Sequence, residues 1–197
     1  MFSLITHFNQ PMLWEGQGNT SGSSYTKCLR EELESKYSAQ WLAHISRNKK
    51  PTDPNKLRNY AVFKEKFQME NYILSCNLES RRLFTKLRTS AHNLAIETGR
   101  YTRPITPRDK RLCLFCNQAA TEDEYHMLMD CSLYTDERKL FHDALHIFSD
   151  IDFNIPTNTY ITLMTCLEGD TEFAKEICIY VNNCFRKRND TLEGLKK

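Results

Sequence analysis

Four residues in the middle of the chain have the types and the spacing of a metal site. They are Cys113, Cys116, His126 and Cys131, and their pattern is C-x2-C-x9-H-x4-C. Two thiols separated by two residues can both point at one ion from a tight turn, and a later histidine and cysteine can complete a tetrahedron. Three soft sulfurs and one imidazole favour Zn²⁺. Because all four positions would be protein ligands, with none left for water, we expect a closed structural zinc site.

The residues between these ligands indicate how the site would be held. Thr121 and Glu124 have the spacing of a capping box, which predicts a short helix that begins near residue 122, with His126 in its second turn. Five residues of an ideal α-helix rotate by about 500°, so His126 and Cys131 would face different directions if that helix continued. We therefore expect the helix to end near residue 129 or 130, so that Cys131 can fold back to the metal.

The cysteines and histidines allow other interpretations besides a zinc site. A Cys-x2-Cys pair can be redox-active, but it would need neither His126 nor Cys131, and the chain has no βαβ alternation. His142 and His146 in HDALH are four residues apart and could share a metal, but they lie opposite an apolar stripe with no third ligand nearby. We interpret them as a solvent-facing pair. The other cysteines are expected to be small buried hydrophobic residues: Cys28, Cys76, Cys166, Cys178 and Cys184.

Basic residues are concentrated just before this cluster. The segment 81–111 contains nine cations against Glu97 and Asp109, a local charge of +7 in a chain of net charge +2. Such a block is typical of a surface that binds RNA or DNA through phosphates, the alternative being a solvated helix face and a basic loop. Tyr101 lies among these arginines and could stack on an unpaired base or could serve only in packing. The nine candidate phosphate contacts are Arg81, Arg82, Lys86, Arg88, Arg100, Arg103, Arg108, Lys110 and Arg111.

Hydrophobic periodicity predicts a mainly α-helical protein with the zinc knuckle, residues 111–133, embedded in it. We expect a flexible N-terminal segment over 1–24, because residues 15–24 are rich in Gly and Ser, then one helical domain over 25–190 and a tail over 191–197. Apolar residues every four positions predict a helix of about 20 residues from residue 25. A second helix is expected to start at Asp53-Pro54, and a third to span residues 79–92 with one apolar and one basic face. Two or three more helices follow the cysteines.

Composition and missing motifs exclude several classes of protein. The chain has 197 residues, 40% of them hydrophobic and 26% charged, which suits a globular protein with a real core. No apolar run approaches the roughly 20 residues of a membrane span, and the first residues lack a secretory signal, so we expect an intracellular protein, nuclear or cytoplasmic, with reduced thiols. A Gly-rich phosphate loop, a G-x-S-x-G elbow and an Asp-Asp pair are all absent. We expect neither catalysis nor a small-molecule substrate.

The stretch 83–138 resembles the region downstream of the polymerase in non-LTR (LINE-type) retrotransposon polyproteins. That family shows a "KLR-x3-H-x-L-x-IE-x-GRY" stretch, a basic loop, a Cys-Cys-His-Cys site and then "C-x-L-Y" and an arginine. The resemblance implies an accessory module that helps to hold template RNA or target DNA near the polymerase and endonuclease, although this chain contains neither enzyme. The matching residues are Lys86, Leu87, Arg88, His92, Leu94, Ile96, Glu97, Gly99, Arg100, Tyr101, the four metal ligands, Leu133, Tyr134 and Arg138.

Three hypotheses about function follow from the sequence. The first is a non-catalytic, zinc-stabilised module that binds RNA or DNA. The second is a protein-interaction module whose zinc site only stabilises the fold. The third is the remnant of a metal-dependent nuclease, which would require an acidic triad in a cleft.

Overall fold

The computed structural model describes residues 22–46, 57, 60–64, 66–145, 156–165 and 171–195. The chain divides into two units, Met1–Arg47 and Asn48–Lys197, and each is described by itself. None of the helices in these ranges is both long enough and apolar enough to cross a bilayer.

The described part of the first unit is one helix, α1, Gly22–Ser46. The helix predicted from residue 25 is therefore confirmed, and residues 22–24 of the predicted flexible segment belong to it, while residues 1–21 lie outside the described residues. Cys28 is exposed, so the prediction that it is buried is wrong. The prediction places it within an apolar stripe of the helix, but its neighbour Leu29, which belongs to that stripe, is itself only half-buried.

The described part of the second unit is built from seven helices, which confirms the prediction of a mainly α-helical protein. Between α5 and α6 lie two 3-10 turns, Arg108–Lys110 and Ser132–Tyr134, and a π-turn, His126–Asp130. Strand-like pairing in the described residues is confined to one bridge, between Leu112 and Thr121. The helices are α2 Tyr60–Phe63, α3 Asn71–Ser75, α4 Leu78–Arg88, α5 Ala95–Thr98, α6 Thr135–Leu145, α7 Pro156–Thr165 and α8 Thr171–Gly194.

Helix α8 lies at the centre of this unit and packs on α3, α4 and α6. Its predicted apolar stripe, from Phe173 to Phe185, is buried, which confirms that face of the helix. Tyr180 stacks on Phe141 of α6 with ring centroids 4.4 Å apart and planes 9° from parallel. The cysteines Cys76, Cys178 and Cys184 are buried in the same core, as predicted.

The remaining sequence predictions about helices have mixed outcomes. The start expected at Asp53-Pro54 lies outside the described residues, and α2 begins at Tyr60. The segment TYITLMTC, whose sequence was ambiguous between strand and helix, belongs to α7 through Thr165, and Cys166 lies outside the described residues. Residues 191–194, assigned by sequence to a tail, continue α8.

Helix α4 has the predicted apolar and basic faces but ends earlier than expected. It begins at Leu78 because the Asn77 side chain accepts a hydrogen bond of 2.9 Å from the Ser80 N–H, which caps the first turn. It ends at Arg88, and Ser90 then takes a positive φ of 50°. Arg82 and Lys86 are exposed, opposite the buried residues of the helix.

Arg88 is fully buried, so its assignment to the basic surface is wrong. On the helix it lies about 40° from Phe84, at the border of the apolar face. One guanidinium nitrogen is 2.9 Å from a carboxylate oxygen of Glu70, which also pairs with the buried Lys64 at 3.2 Å. The guanidinium carbon is 5.4–5.7 Å from three ring centroids: those of Tyr60, Tyr72 and Phe84. Residues from the segment 60–72, which precedes α4, thus bury a guanidinium group that the charge pattern of the sequence places in solvent.

Replacing Glu70 by glutamine should destabilise the protein strongly. Glu70→Gln leaves Arg88 and Lys64 buried without a counter-charge, and removal of one partner from a buried ion pair costs about 3 to 5 kcal/mol. The matched control is Glu193→Gln at an exposed position near the end of α8, which should change the free energy of unfolding by less than about 0.5 kcal/mol. Urea denaturation measures both, and equal stability of the two variants would contradict a structural role for the pair.

Candidate metal centre

The first two ligands of the predicted site lie on a hairpin-like loop. The Cys113 N–H donates to the Ala120 carbonyl over 2.8 Å, and the Glu122 N–H donates to the Arg111 carbonyl over 2.9 Å, on either side of the Leu112–Thr121 bridge. The chain reverses between them, with Ala119 in the left-handed region at φ 50°. Pairing of the segments 111–113 and 120–122 therefore fixes the position of the turn Cys113–Cys116 relative to the residues that follow the loop.

The helical turn that carries His126 is capped by Asp123 and not by the predicted capping box. The Asp123 carboxylate accepts a hydrogen bond of 2.9 Å from the His126 N–H. Glu124, which the sequence assigned to the box with Thr121, is buried and bonded to His92 at 2.8 Å and to the Ser90 hydroxyl at 3.2 Å. The capping-box prediction is therefore wrong, because a buried histidine competes for the carboxylate that the box needs.

The turn His126–Asp130 is wider than an α-helical turn. The Cys131 N–H donates to the His126 carbonyl five residues earlier, over 2.8 Å. Residues five apart in an α-helix are about 140° apart around the axis, but an i→i+5 hydrogen bond puts more residues into each turn and brings them to the same side. The helix ends at Asp130, as predicted, and Cys131 is extended with φ −61° and ψ 128°. The H-x4-C spacing is thus compatible with one ion.

The four predicted ligands come together in space. Their donor atoms all lie within 4.8 Å of one another, with 3.8 Å between the Sγ atoms of Cys113 and Cys131 and 3.3 Å between Cys116 Sγ and His126 Nε2. A tetrahedral zinc with bonds of about 2.3 Å to sulfur and about 2.0 Å to nitrogen would separate two sulfurs by about 3.8 Å and a sulfur from a nitrogen by about 3.5 Å. The cluster is therefore a Cys3His group that can hold a metal ion.

Burial sets the electrostatics of this group. Cys131, His126 and Cys113 are buried, while Cys116 is partly exposed. Burial raises the pKa of the Cys131 thiol to about 12 and raises the pKa of Cys113, and it lowers the pKa of the His126 imidazole. The protein groups alone favour neutral side chains here. A divalent cation reverses this preference for the thiols, because thiolates are its ligands.

Two side chains, one from α6 and one from α8, donate hydrogen bonds to backbone carbonyls at the end of the π-turn. Arg138 of α6 donates from one guanidinium nitrogen to the Leu128 carbonyl over 2.8 Å and from another to the Cys131 carbonyl over 2.7 Å. The Tyr180 hydroxyl of α8 also donates to the Leu128 carbonyl. Sequence reasoning assigned no role to either residue, although Arg138 belongs to the motif that follows the cysteines. These contacts tie the wide turn to α6 and α8.

A buried ion pair joins the knuckle to α8. Arg188 contacts both carboxylate oxygens of Glu122, at 2.7 and 3.0 Å, and also donates to the Asn93 carbonyl at 3.2 Å. Glu122 accepts a further bond of 2.7 Å from the Ala95 N–H at the start of α5. The sequence assigns Arg188 to the basic C-terminal end of a helix, but α8 continues for almost two further turns, to Gly194. The sequence offers no signal for a partner 66 residues away.

Five of the nine predicted phosphate contacts are exposed, and none of their five side chains makes a hydrogen bond or a salt bridge among the described residues. Tyr101 is also exposed, with 64% of its surface accessible. The five exposed cations are Arg82, Lys86, Arg103, Arg108 and Lys110.

The other four cations have structural contacts. Besides the buried Arg88, the half-buried Arg81 donates to the Ile73 carbonyl over 2.7 Å. Arg100 pairs with the buried Glu97 at 3.2 Å. Arg111 donates to the carbonyls of residues 106 and 96, over 2.9 and 2.7 Å. Through these contacts the four side chains stabilise the fold of the basic segment, residues 81–111.

The rival histidine pair finds no support in the part of the chain that is described. His142 is half-buried beside Phe141, with ring centroids 6.3 Å apart, and His146 lies outside the described residues. Among the described residues, the Cys3His cluster is the one group of three or more cysteine, histidine or acidic side chains placed to hold a metal. The acidic triad that a nuclease remnant requires is not seen there.

Comparison with protein-family models, with curated proteins and with solved structures found no match in any of the three. The function is therefore argued from the residues of this chain.

Removing one ligand should abolish metal binding. Cys116→Ser and His126→Ala each leave a three-coordinate site, so the purified variants should contain much less than one metal ion per chain, measured by mass spectrometry of the metal. His142→Ala and Cys178→Ser are the matched controls, because neither side chain belongs to the cluster. Full occupancy in His126→Ala, or metal loss in His142→Ala, would mean that the wrong histidine has been assigned.

Arg138 should matter for metal affinity although it touches no ligand side chain. Arg138→Met removes one donor from the Leu128 carbonyl and one from the Cys131 carbonyl, and changes in groups that support a metal site typically weaken binding about 10- to 100-fold. Lys139→Met is the control, since Lys139 is exposed on the same helix. Competition with a metal chelator measures the two affinities. A Kd of Arg138→Met equal to that of the unaltered chain would contradict a role of Arg138 in supporting the metal site.

Proposed function

We propose that this chain is a non-catalytic nucleic-acid-binding module whose fold is stabilised by Zn²⁺ at Cys113, Cys116, His126 and Cys131. RNA or DNA is bound mainly through its phosphates by the exposed cations of the basic segment. The observation that carries this proposal is the group of five exposed cations whose side chains make no hydrogen bond or salt bridge among the described residues.

The donor set supports zinc. Three thiolates and one imidazole suit Zn²⁺ better than the oxygen-seeking Mg²⁺ or Ca²⁺, and a site with four protein ligands leaves no place for a reacting water. Zinc bound there supplies folding free energy, because the four donors are brought together only in the folded chain. The role that fits is structural, with the ion fixing the hairpin of the knuckle to the π-turn.

The position of the cations supports a connection between the metal site and binding. Arg103, Arg108 and Lys110 lie on the loop that leads directly into the knuckle, and Arg111, the next residue, pairs with the knuckle backbone at Glu122. Arg108 is near enough to Asp123 to favour that carboxylate in its charged form, although burial gives Asp123 a raised pKa. A metal that orders the knuckle therefore also orders the base of this loop.

We propose in addition that the module is related to the post-polymerase region of LINE-type retrotransposons. Residues that carry this resemblance have definite roles in the fold. Gly99 leaves room for Arg111, because a Cβ there would lie 2.7 Å from the Arg111 Cγ, and Arg138 clamps the π-turn. Glu97 and Arg100 pair beside them. The motif is thus a set of contacts that hold the knuckle and its loop in place.

Binding should weaken with salt in proportion to the phosphates contacted. If three to five cations neutralise phosphates, the slope of log K against log salt on a single strand should be about −2 to −3.5. Arg108→Ala with Lys110→Ala should reduce that slope by about 1.4 and weaken binding equally on different sequences. Fluorescence anisotropy at several salt concentrations measures both quantities.

The control for charge removal is Lys139→Ala with Arg186→Ala, two exposed cations on other helices. This variant should bind like the unaltered chain, because it has the same net charge as the test variant but an intact basic segment. Arg82→Ala with Lys86→Ala then shows whether α4 contributes. Binding that is independent of salt, or equal losses in the test and control variants, would contradict the assigned surface.

Exposed apolar side chains favour a second candidate, a protein-interaction module. Between residues 62 and 78, five large hydrophobic residues expose 47% to 75% of their surface, and exposed apolar clusters are typical of protein interfaces. A metal-loaded chain that binds no nucleic acid at about 50 mM salt would favour this candidate. The five are Val62, Phe67, Met69, Leu74 and Leu78.

A further inference from the structure

We propose that the loop over residues 99–111, called here the basic loop, binds unpaired nucleic acid, with Tyr101 stacked on a base and Arg103, Arg108 and Lys110 on the neighbouring phosphates. This inference rests on the proposed function for the existence of a nucleic-acid ligand. It goes further by naming the class of ligand, single-stranded, and the side chain that distinguishes it from a duplex.

The basic loop is closed by its own hydrogen bonds. The Thr106 N–H donates to the Gly99 carbonyl over 3.1 Å and to the Thr102 hydroxyl oxygen over 2.8 Å, and the Thr102 hydroxyl donates to the Gly99 carbonyl over 2.9 Å. The Tyr101 N–H donates to the Thr98 carbonyl over 3.0 Å. The backbone that carries Tyr101 is therefore fixed, which lowers the entropy that a ligand would have to remove on binding.

Arg111 fastens this loop to the knuckle. Its guanidinium donates to the Thr106 and Ile96 carbonyls, and its side chain fills the space left by Gly99. The Ile96 N–H donates to the Glu122 carbonyl over 3.0 Å, so the same contacts reach the knuckle that carries the metal ligands. An exposed loop with this support is a preformed surface and not a segment that needs to fold around its ligand.

The surface of the basic loop combines an aromatic ring with cations. Tyr101 and Ile105 expose 64% and 66% of their surface, and the three cations are exposed on the same loop. The segment 99–111 carries five basic residues and one acid, Asp109, a net charge of +4, which attracts anionic partners.

An exposed ring beside cations suits single strands better than duplexes. Every base has a π-face on which an aromatic side chain can stack, and unpaired bases offer that face while their phosphates reach neighbouring cations. In a duplex both faces of a base are covered by its neighbours, and an exposed tyrosine adds nothing to the phosphate contacts. The observations therefore favour an unpaired strand over a duplex and over an acidic protein, which shares the charge but offers no row of planar rings.

The experiment compares two single strands that have the same charge and differ in their bases, and it adds a duplex of the same length, which has about twice that charge. A labelled single strand of about 12 nucleotides, a strand of equal length whose central residues are abasic, and a duplex of that length are titrated with the zinc-loaded chain. Polyglutamate of equal charge serves as a competitor. The unaltered chain should bind the normal strand about 5- to 150-fold more tightly than the abasic strand, the range for one stacked base, and more tightly than the duplex.

The variants test whether Tyr101 makes the difference. Tyr101→Ala should lose most of the preference for the normal over the abasic strand and should keep the same salt slope, whereas Tyr101→Phe should keep the preference because it keeps the ring. Ile105→Ala, which removes an exposed apolar side chain from the same loop but no ring, should keep the preference and checks for a general disturbance. Zinc content confirms that each variant is folded, and quenching of a 2-aminopurine base in the strand reports stacking on the unaltered chain.

The outcomes separate this inference from the proposed function. Equal binding of the normal and abasic strands with a clear salt slope, or Tyr101→Ala behaving as the unaltered chain, overturns stacking and leaves phosphate binding intact. Tighter binding of the duplex overturns the single-strand assignment. Polyglutamate that competes as well as the single strand assigns the loop to acidic proteins and overturns the inference. Absence of binding to all three oligonucleotides overturns the proposed function itself.

Discussion

The constraint on which the rest of the structure depends is the need to bring His126 and Cys131, two predicted metal ligands five residues apart on a helical turn, to one point. An α-helix cannot do this, and the chain meets the constraint with one hydrogen bond, from the Cys131 N–H to the His126 carbonyl. A wider turn leaves carbonyls near its end that the regular pattern no longer satisfies, and a buried carbonyl needs a donor. Arg138 and Tyr180 supply donors from two different helices. A local distortion at the metal cluster thereby determines which side chains α6 and α8 must present.

Buried charges extend this arrangement beyond the cluster. Glu122 and Glu124 flank the Asp123 cap, and each is paired, one with Arg188 of α8 and the other with His92 after α4. The Nδ1 atom of His92 accepts from the Leu94 N–H at 3.3 Å, so its Nε2 carries the proton that is donated to Glu124. A buried carboxylate is tolerated only when it is paired with a charge, as Glu122 is, or hydrogen-bonded, as Glu124 is. The two carboxylates therefore hold α8 and the segment before α5 against the knuckle. The metal cluster is part of the core, not an appendage to it.

The sequence predicts those features that depend on local pattern. The mainly helical class, the buried stripe of α8, the four clustered ligands and the end of the helix at Asp130 all follow from spacing and periodicity, and the structure confirms them. The errors concern residues whose partners are distant in the chain. Arg88 is buried against Glu70, and Glu124 bonds to a histidine 32 residues away instead of forming a local capping box. No periodicity contains that information, because the choice among competing partners is made by tertiary packing.

The burial of part of the basic segment also changes what kind of ligand the protein suits. Nine cations would support a purely electrostatic mode of binding, but four of them are committed to contacts within the chain, and only three of the exposed five lie on the basic loop. Three phosphate contacts give a shallow salt dependence and a small electrostatic contribution at physiological salt. Useful affinity then requires contacts that salt does not screen, and a stacked base provides one. On the basic loop the fixed backbone places an exposed aromatic ring among those remaining cations. The internal contacts of Arg88, Arg100 and Arg111 and the exposure of Tyr101 thus both support the proposed mode of recognition, in which stacking on unpaired bases supplements a small number of phosphate contacts.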